Sequence, residues 1–214
     1  KYNDFRGLNF SNSAVGAVSC IFLSDTTAAN NVTNITGNTF TNLAVTAYSL
    51  SLIGSSAVLG SNAIINIDSN KTAGTLSFNG IAFGMIGLFN GANLSSLRST
   101  ISHNELSNAT LVLADDISAG AFLISDYSSS KERRIEHNSI SNITQTGSYC
   151  SAMEFDYSFG VLTDTAIVSN NLISNIAVNG IGNFGIFSYS GNNSKPTVIS
   201  NNSINNLSLS LGYS

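Results

Sequence analysis

Two histidines are the side chains best suited to chemistry in this sequence, because imidazole binds transition metals and exchanges protons near neutral pH. His103 and His137 occupy the same place in two similar motifs, ISHNELSNA and IEHNSISNI, and a glutamate accompanies each of them, Glu105 and Glu136 respectively. Imidazole nitrogen and carboxylate oxygen are ligands of Zn²⁺ and Cu²⁺. The set raises the hypothesis of a metal-binding pair, with polar turn residues as the alternative interpretation.

Acidic residues in the second half of the chain form another candidate group. Glu154 and Asp156 flank Phe155, Tyr157 follows them, and Asp126 lies upstream. Such carboxylates could bind Ca²⁺ or perform general acid–base catalysis, and the neighbouring aromatic rings could line a groove for a carbohydrate. The acids do not share one position in the repeated motif, so solvated turn residues are the alternative.

A complete catalytic constellation is absent from the sequence. Asp115 and Asp116 form the one adjacent acid pair, and no Asn-Thr-Asp, Gly-His-Gly or Arg-x-Lys motif accompanies them. The sequence therefore favours a protein that is not an enzyme, with no catalytic residue, no cofactor and no bound metal.

Composition excludes several classes of partner. Charged residues make up 9% of the chain, the net charge is −4 and the sequence pI is near 4.9. An acidic, weakly charged chain is a poor ligand for nucleic acid or for an anionic membrane surface. The best apolar run, IAFGMIGLF, is far shorter than a membrane-spanning helix. We therefore expect neither nucleic acid binding nor membrane insertion.

The motif around His137 is one copy of a repeat that covers almost the whole chain. The copies are FRGLNFSNS, ITGNTFTNL, IDSNKTAGT, ISHNELSNA, IEHNSISNI, VSNNLISNI and ISNNSINNL, whose fourth residues stand at positions 8, 38, 70, 104, 138, 171 and 202. The spacing is 30 to 34 residues, a period of roughly 32. Seven copies in phase predict a single domain over residues 1–214.

Columns through the copies predict a β-solenoid. The first, sixth and ninth residues are apolar in most copies, with Thr75 an exception in the ninth. Ser, Thr, Asn and Gly separate short β-branched or aromatic runs, which favours strands over helices. In-register parallel stacking would place each residue about 4.8 Å from its equivalent, so the apolar columns would form one core. His103 and His137 share the third column and should lie within reach of each other.

Asparagine fills the fourth and eighth columns, apart from Leu8 and Gly74. A stacked amide can donate to one neighbour and accept from the other, so each column predicts a ladder of hydrogen bonds. The predicted ladder residues are Asn38, Asn70, Asn104, Asn138, Asn171 and Asn202 in the fourth column and Asn42, Asn108, Asn142, Asn175 and Asn206 in the eighth.

The Asn-x-Ile-x-Asn pattern, the isoleucine columns and the asparagine ladders resemble the parallel β-helix repeat superfamily. That superfamily includes pectate lyases, polygalacturonases, phage tailspikes and bacterial surface proteins, and the character here is closest to the surface or adhesin-type repeats. The resemblance implies an all-β, right-handed parallel β-helix of about seven coils. The same coil carries enzymes, adhesins and passive stalks, so function must be argued from the residues.

These features predict a structural or adhesive β-solenoid segment of a secreted or cell-surface microbial protein, with a polar Ser/Asn/Thr surface. The expected partners are neighbouring solenoid segments or copies of itself, and surface glycans. Neither end has a recognisable cap, and open strand edges invite pairing, so we expect a fragment of a longer solenoid or a unit that stacks end to end. The alternative is a carbohydrate-binding or polysaccharide-cleaving β-helix, with Glu154, Asp156, Tyr157 and Asp126 at its groove.

Overall fold

Every element of the computed structural model is a β-strand. The structure describes residues 2–11, 16–23, 30–55, 62–89, 96–114, 120–127, 130–156, 166–181, 184–190 and 197–212. Within these ranges no helix is long and apolar enough to cross a membrane. In chain order the strands are β1 (Asp4–Arg6), β2 (Asn9–Ser11), β3 (Ala17–Leu23), β4 (Val32–Thr36), β5 (Thr39–Ser55), β6 (Ile64–Asp68), β7 (Lys71–Phe89), β8 (Ser96–Ser102), β9 (Glu105–Leu113), β10 (Gly120–Tyr127), β11 (Ser130–Glu136), β12 (Ser139–Thr146), β13 (Tyr149–Asp156), β14 (Ala166–Ser169), β15 (Leu172–Ile181), β16 (Phe184–Ser190), β17 (Thr197–Ser200) and β18 (Ser203–Gly212).

The strands form two parallel sheets in which each strand pairs with its equivalent in the next coil. A six-stranded sheet, the first face of the coil, has the order β17-β14-β11-β8-β6-β4. A twelve-stranded sheet forms the other two faces because β5 and β7 continue around a corner: β9, β12, β15 and β18 lie on the second face, and β3, β10, β13 and β16 lie on the third. Ile135 of β11, for example, lies opposite Ile101 of β8 and Val168 of β14. The predicted all-β, parallel β-solenoid is therefore confirmed.

The number of complete coils is smaller than the predicted seven. In the first coil β1 and β2 have three residues each. In the last coil β18 is the final strand, and no third-face strand follows it within the described residues. Complete turns are therefore confined to the middle of the chain.

The apolar columns form one continuous core. Ile35, Ile67, Ile101, Ile135 and Val168 stack in register, and their exposed fractions are 6% or less. In β12 the pleat is regular from Ile143 onward, where Ile143 and Gln145 are buried and Thr144 and Thr146 are exposed. Ile140 and Ile143 are both buried although they are three residues apart, because Asn142 between them takes the left-handed conformation, φ +55°, and interrupts the alternation.

The first repeat copy is displaced by five residues from the register that its sequence suggested. Phe5 pairs with Phe40 rather than Ile35, and the ring centroids of the two phenylalanines are 5.2 Å apart. Asn3, not Leu8, occupies the asparagine column, since its backbone N–H donates to Asn38 Oδ1. The apparent break at Leu8 was therefore an error of alignment, and the column contains asparagine from the first coil onward.

A β-bulge in β7 shifts the register of the third repeat copy, IDSNKTAGT. Thr41 pairs with Ala73 but Leu43 pairs with Leu76, so Gly74 and Thr75 together face a single residue of β5. Gly74 takes the left-handed conformation, φ +69°, that such a bulge requires. The buried member of the ninth column is consequently Leu76, and the polar exception at Thr75 disappears.

The corner between β12 and β13 depends on two residues that do not belong to the apolar repeat. Gly147 has φ +82°, and a Cβ there would lie 2.0 Å from the Leu113 carbonyl oxygen of the preceding coil. Gln145 is fully buried, and its Nε2 donates to the carbonyls of Ser148 and Tyr149, both at 3.1 Å. A core position is thus used to hydrogen-bond the turn.

Burial predicts opposite outcomes for two asparagine substitutions in β12. Ile140→Asn places an amide among apolar side chains and should lower the free energy of unfolding by about 3 kcal/mol. Thr144→Asn, on the exposed face of the same strand, should change it by less than about 0.5 kcal/mol. Guanidinium unfolding followed by circular dichroism measures both; equal losses would contradict the assignment of the two faces.

Candidate functional site

The corner that joins the six-stranded sheet to the twelve-stranded sheet is built from the same two positions of the repeat in each coil. The first residue has a positive φ, with values of +56° at Ser69, +51° at His103, +58° at His137 and +56° at Asn170. The second is the fourth-column asparagine, whose side chain turns into the core. Histidine and asparagine tolerate the left-handed region better than most residues, which accounts for both types in this column.

The fourth-column asparagines form a buried ladder, here called the inner ladder, which confirms the prediction for all six residues. Asn138 is 1% exposed. Its Oδ1 accepts from the N and Nδ2 of Asn104, both at 3.0 Å, and its Nδ2 donates to Asn171 Oδ1 at 3.0 Å and to the Ile101 carbonyl at 2.9 Å. Because backbone N–H groups share the same acceptor, the orientation of each amide is fixed.

The eighth-column asparagines form an exposed outer ladder over part of the predicted length. Asn206, Asn175 and Asn142 each donate from Nδ2 to the Oδ1 of the asparagine one coil earlier, ending at Asn108, over 2.9 to 3.2 Å. Asn42 is separated from this row by the bulge at Gly74, and its Oδ1 accepts from the Thr75 N–H instead. The outer ladder is therefore confirmed from Asn108 onward and interrupted before it.

The two histidines stack on each other, as their shared column predicted. Their ring centroids are 5.0 Å apart and the rings are 14° from parallel. His103 Nδ1 lies 2.9 Å from Asp68 Oδ1 of the preceding coil, and the hydroxyls of Ser102 and Ser69 also donate to that carboxylate. Asp68, which the sequence reading had not singled out, thus ties the histidine column to the coil below.

The pKa of Asp68 lies below its usual range. Burial alone would raise it, but hydrogen bonds from His103, Ser102 and Ser69 and the charge of His103 outweigh that effect. The carboxylate is therefore held in its ionised form, as an acceptor for three neighbours rather than as a proton donor.

Neither glutamate expected beside the histidines has a histidine among its hydrogen-bond or ion-pair partners described below. Glu136 accepts from the Ser169 hydroxyl at 2.9 Å and lies 3.4 Å from an Arg134 nitrogen, and Glu105 is an exposed residue at the start of β9. Among the described residues no group of three or more His, Cys, Asp or Glu side chains is placed to hold a metal ion.

The four predicted groove residues do not meet at one described surface. Asp126 is fully buried, with Oδ2 2.5 Å from the Ser99 hydroxyl. Glu154 is half-buried on β13 and pairs with Ser125, one position out of register with Asp126. Asp156 ends β13, but its side chain, like the whole of Tyr157, lies outside the described residues.

A cavity of about 280 Å³ lies on the outer side of the third face, where no site was predicted. Its lining includes the small residues Ser51, Ala82 and Gly84 on adjacent strands and the aromatic residues Tyr48 and Phe122. Tyr48 is 49% exposed. The sequence signal was a row of small residues between aromatic ones, which becomes visible only when the coils are aligned in register.

No protein-family model, curated protein or solved structure matches this chain. What the structure supports of the resemblance to the parallel β-helix superfamily is the all-β, parallel solenoid architecture. Any activity has to be argued from the chain's own residues.

The two ladders predict a sharp difference in the cost of removing one amide. Asn138→Ala leaves the buried Asn104 N–H without its acceptor and removes the bonds that Asn138 makes with Asn104 Nδ2 and the Ile101 carbonyl, and it should lower the free energy of unfolding by about 3 kcal/mol. Asn142→Gly removes an exposed amide but keeps the positive φ accessible, and should cost less than about 1 kcal/mol. Denaturant unfolding of both variants gives the comparison, and a larger loss for Asn142→Gly would refute the inner ladder's structural role.

Replacing His103 should raise the pKa of Asp68. His103→Asn is the suitable change, because asparagine already occupies this column at Asn170 and Asn201. A carboxylate with a lowered pKa stabilises the fold above its unfolded value of about 3.9 and loses that contribution as the pH falls through the lowered value. The wild type should therefore be the more stable protein above about pH 4, and its advantage should fade in acid.

An NMR titration of the Asp68 carboxyl carbon in both proteins checks the shift directly. Lys71→Gln serves as the control, since Lys71 is exposed on the next strand and is not among the groups that shift the pKa of Asp68. An unchanged Asp68 titration in His103→Asn would contradict the proposed hydrogen bond.

Proposed function

We propose that this chain is a structural β-solenoid segment of a secreted or cell-surface protein, which displays a polar surface of Ser, Asn and Thr. The observation that carries this proposal is the continuity of the core and of the inner ladder through the described coils. Repeat proteins of this kind are stabilised by neighbour-to-neighbour contacts, which suits a rod that spans distance or presents a surface.

Ionisable groups on the first sheet support a structural role because they join coils to one another. Arg98 of β8 lies 3.2 Å from Glu132 of β11, Arg134 contacts the same glutamate, and Arg134 also reaches Glu136. Burial would raise the pKa of Glu132, but Arg134 and Arg98 outweigh it and lower that pKa. Of these ion pairs, Arg98–Glu132 joins two successive coils, and the two pairs made by Arg134 lie within β11.

The cysteines are compatible with an oxidising environment outside the cell. Cys20 and Cys150 are free thiols, and burial raises their pKa values to about 11 and about 12 respectively. Thiolate is the reactive form of cysteine. At neutral pH both side chains therefore behave as small apolar residues, so the proposed extracellular or cell-surface localisation requires no disulfide.

A second candidate function is carbohydrate binding or cleavage, with surface glycans as partners. The observation that favours it is the cavity between Tyr48 and Phe122, since an aromatic ring offers an apolar face and Ser49 and Ser51 add hydroxyl groups beside it. The three predicted acids lie on strands of the same sheet as the cavity, Asp126 on β10 and Glu154 and Asp156 on β13, and Ser125, next to Asp126 in sequence, lines the cavity. This candidate would move the site from β13 toward β5, β7 and β10.

Retention on polysaccharides separates the two candidates. The structural role predicts that the wild-type protein neither binds a glycan array nor releases reducing ends from neutral or acidic polysaccharides. Binding or cleavage that Tyr48→Ala reduces at least tenfold, and that Leu172→Ala on an exposed part of the second face leaves unchanged, would establish the carbohydrate function instead.

A further inference from the structure

We propose that the third-face cavity, whose lining includes Tyr48, Ser51, Gly84 and Phe122, is a binding site for a small, neutral, planar aromatic molecule. The ring of that molecule would pack against the backbone at Gly84. Such a site goes beyond the proposed structural role, because it assigns a ligand to a surface that the rod displays. It also differs from the carbohydrate candidate, since the two occupants have different chemistry and are separated by experiment.

Two aromatic rings of the chain already pack against glycines on this face. A Cβ at Gly54 of β5 would lie 3.3 Å from Cδ2 of Phe22, its register partner on β3. A Cβ at Gly120 of β10 would lie 3.0 Å and 3.2 Å from Phe122 Cε2 and Cζ. Glycine permits both contacts, because the missing side chain leaves the peptide atoms open to van der Waals contact with a ring.

Gly84 is a third glycine on this face, and no ring of the described residues covers it. It lies on β7, which pairs with β5 on one side and with β10 on the other, the two strands that carry the covered glycines. A Cβ at Gly84 would lie 3.2 Å from the Phe122 carbonyl oxygen, and no described side chain beyond its chain neighbours comes within 4 Å of it. The cavity of about 280 Å³ opens here, so a ring from outside can make the contact that Phe22 and Phe122 make at the other two glycines.

The aromatic residues in the lining provide partners for a bound ring. The Phe122 ring packs on Gly120, and its centroid lies 5.6 Å from that of Tyr149, with the two planes 44° apart. Aromatic pairs at such distances attract each other beyond the area they bury. Tyr48 is the second aromatic residue of the cavity in which Phe122 takes part, and half of its surface is exposed. A bound ring would therefore extend an aromatic cluster whose own position is already fixed by packing.

The lining selects a neutral ligand with few polar groups. It contains no carboxylate, amine, guanidinium or imidazole, so a charged ligand would lose hydration without gaining a counter-charge. The Ser125 hydroxyl donates to the Ile86 carbonyl at 3.3 Å, and the other hydroxyl groups of the lining belong to Tyr48, Ser49 and Ser51. A sugar ring has more hydroxyl groups than these partners satisfy, and each one buried without a partner is costly. The volume lies near the lower end of small-molecule sites, which suits one ring or two fused rings.

Isothermal titration calorimetry with naphthol as the probe tests the site. The wild-type protein should bind a single naphthol molecule per chain. Decalinol, the saturated and non-planar analogue, should bind at least tenfold more weakly, because it cannot lie flat on the backbone or pair with the lining rings. Naphthoate, the charged analogue, should also bind at least tenfold more weakly, because its carboxylate has no partner in the lining.

Two variants change the cavity itself. Ala82→Leu adds a side chain within the lining, and Phe122→Ala removes a lining ring, so each should weaken naphthol binding at least tenfold. Ala44→Leu is the matched control, because Ala44 is exposed on the second face and its replacement should leave naphthol binding unchanged. Circular dichroism verifies that each variant is folded, and either cavity variant suffices if the other is not.

Four results would overturn the aromatic site: no naphthol binding by the wild type, equal binding of decalinol, unchanged binding in a folded cavity variant, or a matching loss in Ala44→Leu. A neutral oligosaccharide that binds the wild type but not Ala82→Leu, with no binding of naphthol, would assign the cavity to carbohydrate instead. Failure of naphthol alone leaves the core and the inner ladder as they are, so it is distinguishable from failure of the structural role.

Discussion

The hydrogen bonds of the inner ladder impose the constraint on which the other features depend. Each asparagine must lie directly above the one before it, because its Oδ1 receives two donors from a single residue of the neighbouring coil. A slip of one residue would break these bonds and would also turn the apolar side chains outward. In the low dielectric of the core such bonds are strong and their loss is costly. Register, core and corner geometry are therefore specified together, and the left-handed residue before each asparagine follows from the same turn.

Any function specific to this chain must depend on positions whose side chains the coil structure does not constrain. The corner demands a residue that tolerates a positive φ, and Ser69, His103, His137 and Asn170 all meet this demand. The stacked histidines are therefore a free choice of side chain on a fixed backbone. The floor of the third-face cavity is similar, since Ser51 and Gly84 have outward positions that impose nothing on the core. Variation at such positions can change what the rod displays without changing how it folds.

The sequence predicted the solenoid, the inner ladder and the proximity of the histidines because each of these is a property of a column. It failed where the chain departs from a column without a gap in the motif. Leu8 was placed in the asparagine column because FRGLNFSNS matches the first, sixth and eighth columns with Phe5, Phe10 and Asn12, although the structure places Asn3 in the asparagine column. The β-bulge at Gly74 and Thr75 adds one residue to the third repeat copy, and the nine-residue motif is too short to reveal that insertion. Burial of Asp126 depends on Ser99 from another strand, and fully buried Gln145 serves a turn, so neither could be inferred from periodicity.

In a one-dimensional repeat architecture each coil is stabilised by its nearest neighbours. An interior coil is stabilised by two neighbours, while a coil at either end has one, which is why Phe5, Leu8 and Val18 of the first coil are only partly buried. The contact that a coil lacks is chemically identical to the contact that its neighbours make: a parallel strand in register, an apolar side chain in the same column, and an amide oriented in the same direction. A neighbouring coil satisfies these requirements equally well whether or not a loop of chain connects it. The direction of the inner ladder therefore determines which face of a coil its neighbour can occupy.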